Sequence, residues 1–128
     1  MRLAKQVIVM RKDLNMRKGK MIAQGAHASL KVFLDRRGEA EGGVLAIPLT
    51  EPMTAWLGGR FTKVCVSVTS EAELDAIYAR AREAGLACAL IVDAGHTEFG
   101  GVPTKTCCAI GPDWVEEVDA VTGGLPLL

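Results

Sequence analysis

The sequence predicts a single α/β domain over residues 1–128, in which a small mixed sheet of about four strands lies between helices in three layers. Three observations predict this fold. Strand-like runs alternate with segments of helical period in the order β, α, short α, β, α, β, β, α. The last two strands are joined without a helix, so one pair can be antiparallel. A chain of 128 residues with 49% hydrophobic content suits one buried core.

The first strand and the first helix have the clearest patterns. The run QVIVM, residues 6–10, is continuous and rich in branched side chains, which is typical of a strand buried on both faces. After the loop DLNMRKG, helical spacing creates an apolar stripe of the kind that packs on a core, formed by Ile22, Ala23, Ala26, Leu30, Phe33 and Leu34. A polar face recurs at steps of four, three and four, through Lys20, Gln24, His27 and Lys31. Such a face is usually solvated, but this one begins where a basic loop ends.

The middle of the chain is predicted to hold a connection, a helical turn and the second strand. Residues 38–52 contain several glycines and prolines and are predicted to be a connection rather than a domain boundary. Residues 53–57 can add one helical turn. Valines alternate with more polar positions in residues 61–68, which predicts the second strand. Ser70 and Glu73 then form an S-x-x-E capping box, which predicts the start of the next helix.

The last third of the chain is predicted to complete the sheet. The capped helix ends at Gly85, and LACALIVD, residues 86–93, is a third strand that finishes in an acid. TKTCCAIGP, residues 104–112, supplies the fourth strand. Asp113 is predicted to cap a short last helix over residues 114–122.

The net charge of zero conceals a strong asymmetry along the chain. Residues 1–38 carry ten Lys or Arg against two acids, a balance of +8, whereas residues 39–128 carry five against thirteen, a balance of −8. A solvated basic face is the simplest interpretation of such a run. The alternative is a partner rich in phosphate, such as nucleic acid, because clustered Lys and Arg supply sequence-independent affinity for it.

The composition and the spacing of residues argue against a membrane span, a secretory signal, a metal site and disulfide bonds. No apolar run approaches the length of a membrane span, and the amino-terminal run is too short and too basic on its far side for a secretory signal, so we expect a cytoplasmic protein with no membrane partner. Neither His27 nor His96 has a partner at zinc-like spacing, so we expect no metal site and no cofactor. No C-x-x-C pair is present, and we expect four reduced core cysteines: Cys65, Cys88, Cys107 and Cys108.

Two clusters have the residue types that chemistry requires. In R-K-G-K-M-I-A-Q-G-A-H-A, residues 17–28, Lys18 and Lys20 stand at a helix amino terminus, where free N–H groups and the helix dipole favour an anion. In D-A-G-H-T-E, residues 93–98, a carboxylate, a histidine and a hydroxyl follow a strand, the usual location of ligand sites in α/β sheets. Fingerprints of the familiar hydrolases, NTPases and dinucleotide-binding proteins are absent from the sequence. The residues alone therefore predict a small α/β domain with a cationic, hydroxyl-lined site.

Four stretches together resemble one known family. They are VIVMRKDLNMRKGKMIAQGAHASL, EAGLACALIVDAGHTEF, TKTCCAIGP and VDAVTGGLPLL, and in this order they resemble the type 2 peptidyl-tRNA hydrolases over nearly the whole chain. The resemblance implies an α/β domain with a mixed four-stranded sheet, usually in a homodimer. It also implies metal-independent hydrolysis of the ester between a peptide and the tRNA 3′ ribose, which recycles the tRNA.

The same resemblance assigns roles to individual residues. The residues that match the family's site are Lys20, Gln24, His27, Asp93, Thr97 and Thr106. In the mechanism that this implies, Asp93 orients or deprotonates a water. Lys20 and a hydroxyl, from Thr97 or Thr106, stabilise the oxyanion. Gln24 and His27 are expected to contact the substrate.

Further residues are expected to hold the tRNA. Arg11, Lys12, Arg17 and Lys18 are expected to track its phosphates, and His96 is assigned to the substrate because it stands where the family has Arg in D-A-G-R-T. Arg17 itself replaces a glycine of the family's G-K-G-K, and the loop after Thr97 is about one residue longer than the family's.

These departures leave other functions open. The chain could be a non-catalytic tRNA-binding or regulatory relative, or a hydrolase of another acyl ester. Each site residue also has a purely structural interpretation. Lys20 and Asp93 could form a fixed ion pair, Gln24 and His27 could satisfy neighbouring backbone groups, and the two threonines could be turn and strand residues.

Overall fold

The computed structural model describes residues 1–128 as one α/β unit, and it confirms the predicted order of elements. These are β1 (Ala4–Arg11), α1 (Lys18–Leu34), α2 (Glu51–Gly58), β2 (Lys63–Val68), α3 (Glu71–Glu83), β3 (Cys88–Asp93), β4 (Thr104–Trp114) and α4 (Val115–Thr122). No helix combines the length and the apolar character that crossing a membrane requires.

The four strands form one mixed sheet in the order β2-β1-β4-β3. Strand β1 is parallel to β2, and β4 is antiparallel to both β1 and β3. Because β1 and β3 therefore run in the same direction, their carboxyl ends, Arg11 and Asp93, meet at the edge where β4 begins with Thr104. Helix α1 starts at this edge as well, since it follows β1 after a short loop.

Both faces of the sheet are covered, as the run in β1 predicts. Val7 and Val9 pack in a core shared with α3 and α4. Ile8 and Met10 point the other way, into a core shared with α1 and α2. This alternation follows from the twofold period of a strand, and it produces the three-layer arrangement.

Helix α1 lies on the sheet through a different face from the predicted one. Ile22 and Leu30 are 73% and 56% exposed, whereas the residues buried in α1 are Gln24, Gly25, Ala28 and Val32. Small residues let the helix approach closely: a Cβ on Gly25 would already lie 3.6 Å from Ile8 Cδ1. The predicted core-facing stripe is therefore wrong over its first four residues, which are exposed, whereas Phe33 and Leu34 are half-buried. The helix packs instead through Gly25, Ala28, Val32 and the hydrogen-bonded side chain of Gln24.

The exposed stripe of α1 borders an open apolar groove of about 870 Å³. Ile8 and Met10 of the sheet form its floor, and Ile22, Ala26, Leu30 and Phe33 line it from α1. An aromatic stack runs from α1 to the opposite side of the groove: the ring centroid of Trp56 lies 5.9 Å from that of Phe33 and 4.2 Å from that of Phe61. We refer to this feature as the apolar groove.

Local capping agrees with the sequence at one helix and differs at another. Ser70 caps α3, accepting a hydrogen bond from Glu73 N at 3.0 Å. Asp113 was expected to cap α4 but lies within β4, where its carboxylate accepts from Trp114 N and Ala87 N. This prediction is wrong because the strand continues two residues beyond the predicted end.

The expectation for the cysteines holds only in part. All four are free thiols, but only Cys107 and Cys108 are buried, while Cys88 is half-buried and Cys65 is exposed. Burial raises the pKa of the Cys107 thiol to about 12, which keeps this sulfur protonated.

Residues 126–128 run along the outer edge of β2. Pro126 O accepts a hydrogen bond from Ser67 N at 2.9 Å, and Leu128 N donates to Cys65 O at 3.1 Å. Backbone groups of β2 that face away from β1 are thus paired within the chain.

Candidate active site

The candidate active site lies at the sheet edge where β1 and β3 end and α1 begins. Four neighbouring segments supply its side chains, namely Lys20 and Gln24 from α1, Asp93 from the end of β3, Thr97 from the loop over residues 94–103, and Thr106 from β4. The structure thus brings together five of the residues that the resemblance assigns.

The Lys20 ammonium is the centre of the cluster. It donates to Asp93 Oδ1 at 2.9 Å and to Thr97 Oγ1 at 2.7 Å. The Lys20 and Asp93 side chains retain 13% and 16% exposure, so they are shielded from bulk water but can be reached by a ligand. An ammonium group has three hydrogens, and two are used here. One donor of Lys20 is therefore available to a bound molecule.

Asp93 is held as a carboxylate. Its Oδ1 also accepts from Gln24 Nε2 at 3.3 Å, and its Oδ2 accepts from Gly95 N at 2.9 Å. The hydrogen bond from Lys20 is the main reason why the pKa of Asp93 lies below its ordinary value, with burial acting in the opposite direction. A carboxylate has about four lone-pair sites. Three are filled, so Oδ2 can still accept one hydrogen bond.

Thr106 fixes the orientation of Gln24. Its hydroxyl donates to Gln24 Oε1 at 2.6 Å, which leaves the amide nitrogen directed at Asp93. Both side chains are buried, and Thr106 is 0% exposed. This burial argues against the expectation that the Thr106 hydroxyl stabilises an oxyanion, because a ligand cannot reach it. The geometry supports that role for Thr97 only.

Arg11 is engaged inside the protein. Its guanidinium donates to both carboxylate oxygens of Asp13, at 2.7 and 3.2 Å, and to Lys105 O at 3.0 Å. Its side chain is only 11% exposed, and the hydrogen bond to Asp13 is the main cause of its raised pKa. These contacts argue against the expectation that Arg11 binds a phosphate.

The other expected substrate-binding residues lie outside the cluster. Lys12, Lys18, His27 and His96 are exposed, and their side chains form no hydrogen bond or ion pair within the protein. Arg17 is also exposed; its guanidinium lies 3.7 Å from Glu98 Oε1. These groups are available to a ligand, but the structure does not bring the two histidines into contact with Asp93.

Two contributors to the site were not identified from the sequence. Gly95 donates its backbone N–H to Asp93, and its φ of +84° suits only glycine. A Gly that follows an Asp by two residues is a usable sequence signal, because Asx turns have this form. Glu98 accepts from the backbone of Arg17, 81 positions away. No local pattern can indicate such a contact. The structure contains no group of three or more His, Cys, Asp or Glu placed to hold a metal ion.

Comparisons with known proteins agree with the resemblance. The family model described as Peptidyl-tRNA hydrolase PTH2 matches residues 4–128. The chain is 45% identical to a peptidyl-tRNA hydrolase of Methanocaldococcus jannaschii, over 97% of this chain and 99% of that protein. It is 43% identical to a peptidyl-tRNA hydrolase of Methanothermobacter thermautotrophicus, over 97% and 99%, and 43% identical to one of Methanopyrus kandleri, over 97% of both chains.

Proposed function

This chain belongs to the peptidyl-tRNA hydrolase PTH2 family and hydrolyses peptidyl-tRNA, and we propose that it does so at the cluster formed by Lys20, Asp93 and Thr97, without a metal ion. The reaction adds water to the ester carbonyl carbon and breaks the bond to the ribose oxygen. The products are a peptide with a free carboxylate and a tRNA with a free terminal hydroxyl.

Asp93 is proposed to position the attacking water. Its Oδ2 has one unused lone pair, and Gly95 N holds that oxygen in place. The lowered pKa keeps the carboxylate ionised at neutral pH, so it can always accept a hydrogen bond from water. As the carbon–oxygen bond forms, the water proton passes to Asp93, and it is then given to the departing ribose oxygen.

Lys20 and Thr97 are proposed to stabilise the oxyanion. Lys20 has one free N–H, and Thr97 already accepts from Lys20, so its own hydroxyl hydrogen is free to donate. Two donors next to the water-binding carboxylate oxygen match the needs of a tetrahedral intermediate. This combination of unused donors and an unused acceptor at one place is the observation that carries the proposal, because a purely structural ion pair has no need of it.

Gln24 and Thr106 are proposed to act as positioning residues. They hold Asp93 from the buried side, since the Thr106 hydroxyl orients the Gln24 amide towards Oδ1. His27 and His96 remain proposed substrate contacts at the exposed rim.

The first test is hydrolysis of a labelled N-acyl-aminoacyl-tRNA by the purified protein in the presence of EDTA. We expect multiple turnovers that release the acyl-amino acid and leave an intact tRNA, at the same rate with and without the chelator. No release, together with salt-sensitive tRNA binding, would contradict the proposed site and favour a non-catalytic tRNA-binding protein. Release that stops in EDTA would contradict the metal-free mechanism alone.

Exposed basic residues near the start of α1 are proposed to bind the tRNA backbone. Lys12, Arg17 and Lys18 flank the edge that carries Asp93, and the side chains of the two lysines have no partner within the protein. Lysines of this kind can neutralise phosphates and release counterions. We also propose that the protein acts in the cytoplasm, where translation produces its substrate.

Removing one of these lysines should flatten the salt dependence of binding. For Lys18→Ala, we expect weaker tRNA binding at low salt and a plot of log K against log salt whose slope is smaller by about 0.7 to 0.9, as for one lost phosphate contact. The value of kcat should not change, because Lys18 does not contact Asp93. Filter binding across a salt series measures the slope. Lys31→Ala is the matched control, since Lys31 pairs with Asp35 at the far end of α1; an equal change in both variants would contradict a specific contact.

The apolar groove is proposed to bind a second copy of this chain, which gives a homodimer. Single proteins rarely expose a continuous apolar surface of this kind. The same patch contains both a projecting ridge, with Ile22 and Leu30 on α1, and a concave floor, with Ile8 and Met10. A twofold axis can therefore place the ridge of each copy in the groove of the other.

Such a dimer would leave the active site open. Ile22 follows Lys20 by two positions, which places it about 200° further round the helix. The dimerising face of α1 therefore points away from the face that carries Lys20. Of the proposed phosphate contacts, Lys18 lines the groove, and Lys12 and Arg17 do not. Lys20, Asp93 and Thr97 do not line the groove, so a second copy bound there would not cover them.

A further inference from the structure

The position of Thr97 depends on the loop that joins β3 to β4. This loop, residues 94–103, is folded back on itself: Gly101 N donates to Gly95 O at 2.8 Å, and Val102 N donates to Phe99 O at 3.0 Å. A Cβ on Gly95 would lie 2.2 Å from Val102 O, so only glycine allows this approach. The loop is thus a compact unit that carries the Thr97 hydroxyl, and its place relative to α1 decides whether that hydroxyl meets Lys20.

Glu98 connects this unit to the start of α1. Its Oε2 accepts from Arg17 N at 3.4 Å, and its side chain is 19% exposed. Arg17 precedes the first turn of α1, which has no acidic residue and no side-chain cap of its own. The carboxylate therefore fills the capping role from a different segment of the chain. Its pair with the Arg17 guanidinium matters less, because that side chain is 90% exposed and solvent screens it.

We propose that Glu98 is a positioning residue for hydrolysis: by holding the loop against the start of α1, it keeps the Thr97 hydroxyl in contact with the Lys20 ammonium. This inference rests on the proposed function of that site. The contact joins the residue next to Thr97 in the loop to a residue one turn before Lys20 in the helix. Loss of this contact would let the Thr97 hydroxyl move away from Lys20, although the hydroxyl itself would still be present.

The charge of Glu98 has a second effect, on substrate binding. A helix amino terminus attracts anions, and here an acid of the protein already occupies it. The negative charge also lies 3.7 Å from the guanidinium of Arg17, which is proposed to meet phosphates. Glu98 therefore supports the catalytic step and opposes the binding of tRNA, so its two effects appear in different kinetic constants.

The test compares Glu98→Ala with Glu98→Gln in the full-length enzyme, by steady-state hydrolysis of N-acyl-aminoacyl-tRNA at several salt concentrations. For Glu98→Ala we expect kcat to fall about tenfold, as for a misplaced catalytic group. For Glu98→Gln we expect kcat within about twofold of wild type, because the amide oxygen still accepts from Arg17 N. The KM of Glu98→Gln should be lower than that of wild type at low salt and should approach it at high salt, because salt screens the removed charge.

A double substitution separates positioning from a general loss of structure. In a Thr97→Ala background, adding Glu98→Ala should lower kcat no further, because the hydroxyl that Glu98 positions is already absent. An unchanged kcat in Glu98→Ala, or an equal loss in the Ala and Gln variants, would overturn the inference. The inference would also be overturned if Glu98→Ala lowered kcat as much in the Thr97→Ala background as it does in the wild type. If the wild type does not hydrolyse the substrate, the proposed function fails and this inference fails with it; an active wild type with silent Glu98 variants overturns the inference alone.

Discussion

Asp93→Asn should lower kcat by about a thousandfold and leave tRNA binding nearly unchanged, in line with the loss of a group that acts in the transition state. Asn has the shape of Asp but lacks the charge, and one of its terminal atoms becomes a donor. The single oxygen of the amide can accept either from Lys20 and Gln24 or from Gly95 and water. It cannot serve both pairs, as the two oxygens of the carboxylate do. Single-turnover hydrolysis measures the rate, and filter binding measures the affinity for tRNA.

The matched variant is Lys20→Met, which keeps the length of the side chain. We expect kcat to fall by about a hundredfold to a thousandfold, because one oxyanion donor is lost. Binding should again change little, since Lys20 is shielded and is not expected to meet the phosphates. Equal loss of rate and affinity in both variants would contradict the division between a reacting cluster and a phosphate-binding surface.

Lys20→Met should also differ from wild type in the pH dependence of its activity. In the wild type the pKa of Asp93 lies below its ordinary value of 3.8, so activity that needs the carboxylate is present above this range and is lost only as pH falls through the lowered pKa. Because Lys20 is the main cause of the shift, the residual activity of Lys20→Met should begin to fall at a higher pH than that of wild type.

Leu30→Glu should convert a dimer into monomers. Leu30 is 56% exposed and lines the apolar groove, and in the proposed dimer a glutamate there would bury a charge without a partner. Sedimentation velocity at micromolar concentration should show one species of half the wild-type mass. The free energy of unfolding of the monomer should change little, because the side chain is not in the core.

Val44→Glu is the control for this experiment. Val44 is 66% exposed but does not line the groove, so the same charge added there should leave the dimer intact. A wild type that is already monomeric, or a Leu30→Glu variant that stays dimeric, would contradict the proposed interface. Hydrolysis by a stable monomer would show whether each site works alone.

Local patterns predicted the elements of this fold but not the orientation of α1. The order of strands and helices and the mixed sheet are confirmed, because each depends on period and turn chemistry that neighbouring residues determine. Periodicity gives a helix two contrasting faces and does not say which one packs on the sheet. Gln24 is buried because Asp93 and Thr106 satisfy its amide, and Ile22 is exposed. Both outcomes depend on partners that are distant in sequence.

The site, like the fold, could be predicted only where neighbouring residues determine it. Lys20 and Asp93 are 73 positions apart, and only the resemblance to a known family indicated that they meet. The chemistry of each could be read from its surroundings: a lysine at a helix start, and an acid at a strand end before a glycine. The contact between Glu98 and the backbone of Arg17 could not be predicted. The sequence around a carboxylate in a loop does not tell whether that acid is solvated or bound to another segment.

The residues that run along β2 have a consequence for how copies of this protein can join. An unpaired strand edge is a template on which another chain can add a strand, and repeated addition leads to fibres. Pro126 and Leu128 occupy that edge by bonding to Ser67 and Cys65. At this side of the sheet, another chain therefore cannot pair with Cys65 or Ser67 of β2 unless residues 126–128 are first displaced.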